Sequence, residues 1–170
     1  MVSEEEFLSL PESLDRVELL DGEVIVSAAP SPLHQHVLRR LNGLFDTWER
    51  GNPPATVGLA PLDVRLAPGR IVQPDLFLVL SGFSPRAAAP LHLVPDLVVE
   101  VTSLKRSYDR ITKRSIYADA GVTEYWIVDP FLGQIEQVTG LETVAIITEG
   151  SLESLVAPGL RVSVADIFPA

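Results

Sequence analysis

The sequence predicts an α/β protein with an α+β-like order of elements: a mixed β-sheet flanked by helices, without the regular alternation of a doubly wound fold. Three observations carry that prediction. Apolar residues recur at helical spacing through Val37, Leu38, Leu41, Leu44, Phe45 and Trp48, the mark of an amphipathic helix. Leu97-Val-Val-Glu-Val101 is apolar on both alternating faces, as in a strand buried inside a sheet. A second helical stretch, about 106–120, is followed at once by the apolar strand Thr123–Val128.

Taken in order, residues 1–13 read as a short acidic helix or arm. Arg16-Val-Glu-Leu-Leu20 and Glu23-Val-Ile-Val26 flank Asp21-Gly22, a hairpin signal because the turn needs positive φ. Ser31-Pro32 starts the first long helix, with Ser as N-cap and Pro in the first turn, and Gly51-Asn-Pro-Pro54 ends it. Two strands are expected at Thr56–Leu66 and Ile71–Leu80, turned by Pro68-Gly69. A Pro- and Ala-rich loop covers 81–95. The second helix closes at Gly121, a natural C-cap residue. Gln134–Val138 and Val144–Thr148 read as a closing hairpin, and 163–168 as one short helical turn.

The chain has 170 residues, and single domains commonly hold roughly 100–200. It shows no internal repeat and no linker, so residues 1–170 are expected to form a single domain. Apolar residues make up 46% and charged residues 21%, which excludes a disordered or fibrous chain. The absence of cysteine excludes disulfides, thiolate zinc sites and cysteine nucleophiles. An acidic start and no apolar run near the roughly 18 residues of a membrane span lead to an expectation of a soluble, cytoplasmic protein. The formal charge of −10 weighs against binding nucleic acid by bulk electrostatics. Eleven of the 13 basic residues are arginine; the two lysines are Lys105 and Lys113.

Three carboxylates stand where apolar residues would pack better. Glu100 interrupts the buried-strand run, Asp75 follows Gln73-Pro74 where a loop enters an apolar strand, and Glu18 interrupts Val17 and Leu19-Leu20. A buried carboxylate without a partner costs several kcal/mol, so each needs a compensating group or a cation, unless it faces solvent from a strand edge. Lys113 shares a helical stripe with Asp109, Ile116, Tyr117 and Ala120, and an ammonium there must reach water, a carboxylate or a substrate anion. Its alternatives are a snorkelling lysine or an i,i+4 pair with Asp109. Two hard carboxylates and a lysine are what metal-assisted phosphodiester hydrolysis uses: the carboxylates take Mg²⁺ or Mn²⁺, and the lysine positions water or stabilises the leaving charge.

The segments Gln73-Pro-Asp75 and Leu97-Val-Val-Glu100-Val-Thr-Ser103 resemble the PD-(D/E)xK nuclease signature. Asp109, Lys113-Arg, Tyr117 and Gly121-Val-Thr-Glu-Tyr-Trp-Ile-Val-Asp129, with Glu18-Leu-Leu-Asp-Gly22 and Ser31-Pro-Leu-His34, look like the Uma-type family of restriction-endonuclease-like proteins. The resemblance covers roughly 15–140 and runs in the family's order. It implies a restriction-endonuclease-like mixed sheet sandwiched by helices and a Mg²⁺-dependent endonuclease acting on DNA. The metal positions would be Asp75, Glu100 and Val101, and the catalytic set Asp75, Glu100 and Lys113.

One position departs from the signature. Glu-x-Lys would place lysine at 102, where this chain has Thr102; in the Uma-type pattern the following helix supplies it, which maps onto Lys113, with Lys105 as runner-up. Glu18, His34, Thr102 and Lys105 are auxiliary candidates, His34 being equally readable as a capping or surface residue. His36 and His92 read as exposed. Lys105, Arg106, Arg110 and Arg114 form a candidate phosphate track, with Arg39 and Arg40 as a second small basic patch; a solvated basic helix face is the alternative. Two other readings stay open on the same fold: a non-catalytic nucleic-acid- or protein-binding module, and a structural subunit pairing strand edges in a homodimer.

Overall fold

The hairpin near the start shows how local signals set the framework. In this computed structural model the described residues are 1–11, 13, 15–103 and 107–169, with the backbone alone at 107–110. After a short helix, α1 (Glu4–Leu8), strands β1 (Arg16–Leu20) and β2 (Glu23–Ser27) pair antiparallel from Arg16↔Ser27 to Leu20↔Glu23. Asp21 and Gly22 hold φ of 52° and 89°, the two positive values a two-residue type I′ connection demands. Because strand side chains alternate, Arg16 and Glu18 share one face of β1.

Helix α2 (Pro32–Arg50) begins where Ser31 accepts a hydrogen bond from the His34 amide at 3.2 Å, satisfying one of the orphan donors of its first turn. Its stripe of Val37, Leu38, Leu41 and Phe45 is buried. The two long strands expected next are each divided. The chain forms β3 (Thr56–Leu59), β4 (Val64–Ala67), β5 (Arg70–Val72) and β6 (Leu76–Val79). β4 and β5 form the hairpin around Pro68-Gly69, but β3 and β6 pair with each other in a different sheet. Proline explains both breaks. Pro61 and Pro74 lack the N–H that a ladder requires, so the chain changes sheet at 60–63 and again at 73–75. The two crossings touch, the Ala60 amide donating to the Asp75 carbonyl at 3.2 Å.

The remaining elements are β7 (Leu91–His92), β8 (Leu97–Val101), α3 (Ser107–Ala120), β9 (Glu124–Asp129), β10 (Gln134–Thr139), β11 (Glu142–Ile147), β12 (Ser151–Glu153), β13 (Arg161–Ser163) and α4 (Val164–Ile167). The expected mixed pairing is present in two principal sheets, each combining parallel and antiparallel neighbours. One runs β2-β1-β5-β4-β7; the other runs β11-β10-β9-β8-β6-β3, with β12-β13 as a separate pair. β8 and β9 are parallel and joined through α3, while β6 and β8 are antiparallel.

Alternation along the fully buried β8 divides the core. Leu97, Val99 and Val101 pack with α2 and the C-terminal residues Leu152, Leu160 and Ile167. Val98 packs on the other face, with Ile116 and Tyr117 of α3 and with Leu20, Val64 and Val72 of the five-stranded sheet. Glu100 has the parity of Val98 and so belongs to the α3 face. The C-terminal hairpin β12-β13, absent from the sequence reading, is fastened through buried Glu124. That carboxylate accepts from Trp126 Nε1 and Gln137 Nε2, both at 2.6 Å, from Ser154 Oγ at 2.7 Å, and from the Leu155 and Val156 amides at 2.9 and 3.2 Å. No helix among the described residues is long and apolar enough to cross a membrane.

Candidate active site

Two strands and one crossing between sheets deliver three carboxylates to a single point. Glu18 comes from the inner face of β1, Asp75 from the crossing before β6, and Glu100 from the C-terminal end of β8. Their relative exposures are 0%, 2% and 5%, with Lys113 of α3 at 3%, so none of the four is a solvated surface charge. Glu100 Oε1 accepts from Lys113 Nζ at 2.9 Å, Tyr117 Oη at 2.6 Å and Arg16 Nη2 at 3.2 Å; Arg16 Nη2 also reaches Oε2 at 3.1 Å. Glu18 Oε1 accepts from Lys113 Nζ at 3.1 Å, Arg16 Nη2 at 3.3 Å and the Gln73 amide at 2.8 Å. Asp75 Oδ1 accepts from Arg16 Nη1 at 2.9 Å. Its Oδ2 accepts from the Val101 amide at 2.8 Å and lies 3.1 Å from His34 Nε2.

Charge sets the character of this cluster. Burial pushes the Glu100 carboxyl upward, but the Lys113 ammonium and Arg16 guanidinium outweigh it and hold the group well below the usual carboxylate range. Burial works against the charge on Arg16, and the attraction of Glu100, Glu18 and Asp75 overcomes it, raising the guanidinium above its ordinary value. Burial, and then the nearby charges of Glu100 and Glu18, push the Tyr117 phenol well above its own, so it remains a hydrogen-bond donor at neutral pH. The formal charges of Glu18, Asp75 and Glu100 outnumber those of Arg16 and Lys113 by three to two.

The structure brings Asp75, Glu100, Lys113, Glu18 and His34 together. Thr102, at the position where the signature would have lysine, is buried with its hydroxyl 3.4 Å from the Val128 carbonyl, and Val101 presents its amide to Asp75. Lys105 and Arg106 lie outside the described residues, as does the side chain of Arg110. Arg114 engages Glu136 and, at 3.3 Å, Thr143. His92 is exposed, whereas His36 is half-buried and lines a cleft. Sequence reasoning missed Arg16 altogether and took Tyr117 as a stripe residue and part of the family pattern, without a place in the site. Both had a periodic signal: Arg16 stands two positions from Glu18 on a strand, and Tyr117 four from Lys113 on a helix.

The cleft holds about 750 Å³ and is lined by, among others, Arg16, His34, Gln35, His36, Arg39 and Asp75. As arranged, no three His, Asp or Glu side chains among the described residues form a ready-made metal-binding group; the Arg16 fork stands between Asp75 and Glu100. The donor chemistry nonetheless fits a hard divalent cation. Mg²⁺ takes one or two carboxylates and fills its remaining positions with water and substrate oxygens. Buried Glu18 Oε2 has no hydrogen-bond partner among the described residues, and the cluster's negative charge exceeds its positive charge. A carboxylate oxygen buried without a partner is costly, and a cation is one group that relieves it.

A family model described as "Uma2: Putative restriction endonuclease" matches residues 4–165. A crystal structure described as a "putative nuclease belonging to DUF820 from Anabaena variabilis ATCC 29413" is 21% identical over 99% of this chain and 98% of its own, with a TM-score of 0.85. At that identity the likeness establishes the restriction-endonuclease-like fold. No curated protein matches the chain.

Proposed function

The chain belongs to the Uma2 family, and from that premise we propose that it is a divalent-metal-dependent endonuclease that hydrolyses DNA phosphodiester bonds. One observation carries the reading: Asp75 and Glu100 are buried within the span of a single guanidinium, with Lys113 Nζ 2.9 Å from Glu100. Asp75 and Glu100 would hold Mg²⁺ or Mn²⁺, with Val101 adjoining them. When bound, that ion supplies Lewis-acid stabilisation of phosphoryl charge and a more acidic water.

The chain's own residues do the rest. Lys113 stands between Glu18 and Glu100, and its ammonium holds Glu100 ionised and places a positive charge where an attacking water would be oriented. Tyr117 fixes Glu100 from the helix side at 2.6 Å, so that carboxylate is oriented before any ligand arrives. The Val101 amide and His34 do the same for Asp75. Such support matters because an ångström of misplacement at a reacting group can cost about a hundredfold in rate. Arg39 and His36 on α2 line the cleft and offer positive or hydrogen-bonding groups to a phosphate backbone. Lys105, Arg106, Arg110 and Arg114 remain proposed contacts to flanking phosphates, with Glu18, His34, Thr102 and Lys105 in supporting places.

The test is a pair of measurements on the full chain. Mn²⁺ or Mg²⁺ should raise the melting temperature of the wild type and leave Asp75→Asn unmoved. Nicking of supercoiled plasmid should require the metal and vanish in Asp75→Asn and in Glu100→Gln. A wild type that ignores both ions would overturn the metal reading and favour a non-catalytic binding module on this fold. Nicking that survives both substitutions would mean the cleavage belongs to a contaminant.

A further inference from the structure

Arg16 is the residue that the nuclease reading leaves without a task. Its fork is shared among all three carboxylates: Nη1 on Asp75, and Nη2 on Glu18 and Glu100, at 2.9–3.3 Å. Those oxygens belong to the carboxylates that would hold a divalent ion on the proposed function, so the fork and the ion would compete for them. Its hold is also less enclosed than that of its partners. The Arg16 side chain is 13% exposed against 0%, 3% and 6% for Glu18, Asp75 and Glu100. It begins β1 and lines the cleft together with Ser13 and Asp15. Its Nε is buried with no hydrogen-bond partner among the described residues, so the terminal nitrogens alone are hydrogen-bonded there.

We propose that Arg16 is a positioning residue that acts as an internal counter-ion: in the metal-free protein it holds Asp75 and Glu100 in place, and a divalent ion binds by displacing its fork toward the cleft. The inference rests on the reading of Asp75 and Glu100 as metal ligands. It follows from competition: an anionic cluster with three carboxylates is stable without metal only if a resident cation neutralises it, and that cation must then compete with the ion. Arginine suits the task because its planar fork spans two carboxylates, which a lysine's point charge does not.

The experiment is calorimetric titration of Mn²⁺ into the metal-free wild type, Arg16→Met, Arg16→Lys and Asp75→Asn, combined with nitrogen-15 spectra of the arginine Nε–Hε groups during a Mg²⁺ titration. Arg16→Met should bind Mn²⁺ at least about tenfold more tightly than the wild type, and Arg16→Lys a few-fold more tightly. In the wild type, the Arg16 Nε–Hε resonance, assigned by its loss in Arg16→Lys, should move with the same midpoint as Mg²⁺ binding in a parallel calorimetric titration of that ion. If Arg16→Met does not fold without metal, Arg16→Lys and the wild-type resonance decide the matter. Equal or weaker binding by the folded variants, or a resonance that stays still while the ion binds, overturns the proposal. Those failures leave the metal reading standing if Asp75→Asn abolishes binding; a wild type that binds no ion takes both down.

Discussion

Replacing Lys113 by methionine tests whether its ammonium is an essential internal counter-charge. Methionine keeps an unbranched apolar stem in the stripe with Ile116 and Tyr117 and deletes the ammonium, its charge and its hydrogen bonds together. The lost ammonium lies 2.9 Å from Glu100 and 3.1 Å from Glu18 on a side chain that is 3% exposed. Removing one member of a buried ion pair costs about 3–5 kcal/mol, because the partner's charge stays buried and uncompensated. Arg16 remains on both carboxylates at 3.1–3.3 Å, which places the cost at the low end, about 3 kcal/mol. For chains of this size a kcal/mol moves the melting temperature by about 2–4 °C. Lys113→Met should therefore melt about 6–12 °C below the wild type in metal-free buffer, followed by circular dichroism. Adding Glu100→Gln removes one of the stranded charges, while the Tyr117 hydroxyl keeps an amide oxygen to bond. The double variant should recover at least about 1 kcal/mol relative to the sum of the single effects. A loss below about 2 °C, or strict additivity, would refute the picture of Lys113 as the counter-charge to Glu18 and Glu100.

Two further predictions concern parts of the molecule away from the cleft. Glu124→Gln puts an amide nitrogen against either the Trp126 and Gln137 donors or the Ser154, Leu155 and Val156 donors. Each buried donor left unpaired costs about 1–3 kcal/mol, so a loss of about 3 kcal/mol is expected, with faster proteolytic cleavage beyond residue 148; a melt coincident with the wild type would show that the carboxylate's second acceptor oxygen does not matter. Glu4 is held below its ordinary value of 4.5, first by the Arg65 side chain and then by the Gly69 amide. A lowered carboxyl contributes stability that is present above that ordinary value and is lost as pH falls through the lowered one. The stability of Glu4→Gln should therefore fall less steeply than that of the wild type below about pH 4.5, and parallel curves in acid denaturation would count against the pairing.

The parts of this fold that could be read from sequence are those decided by neighbours in the chain. Asp21-Gly22 specifies its hairpin, Ser31-Pro32 starts α2, and the run Leu97–Val101 identifies a central strand, because in each case the deciding residues lie within a few positions. Partner choice is different. Nothing local states that β3 and β6 should leave β4 and β5 for another sheet; the prolines at 61 and 74 show that the ladder breaks, but not where each half goes. The candidate site divides in the same way. Asp75, Glu100 and Glu18 were visible because a carboxylate in an apolar strand is out of place wherever it finally points. Arg16 was not, because an arginine at the start of a hairpin strand is unremarkable until Glu100, 84 positions away, is brought beside it. Glu124 was hidden for the opposite reason: it stands at the first position of a strand, and three of its five donors come from 30–32 residues downstream.

The formal charge of −10 looks at first like an objection to a polyanionic substrate, and the site turns it into a statement about order. Within the cluster the carboxylates of Glu18, Asp75 and Glu100 outnumber Arg16 and Lys113, so on the proposed function a phosphodiester would meet net negative charge there before a metal is bound. Interactions over a few ångströms in a buried setting are poorly screened by salt, so raising or lowering ionic strength does not remove that repulsion. On the proposed function, Asp75 and Glu100 would hold a divalent ion, and three negative and two positive charges would become three negative and four positive with the Arg16 fork at the rim. On the proposed mechanism, the cation must therefore precede the substrate. The local excess of carboxylate, and not the formal charge of the whole chain, then works as the requirement, since a cluster neutral without metal would have less to gain from binding one.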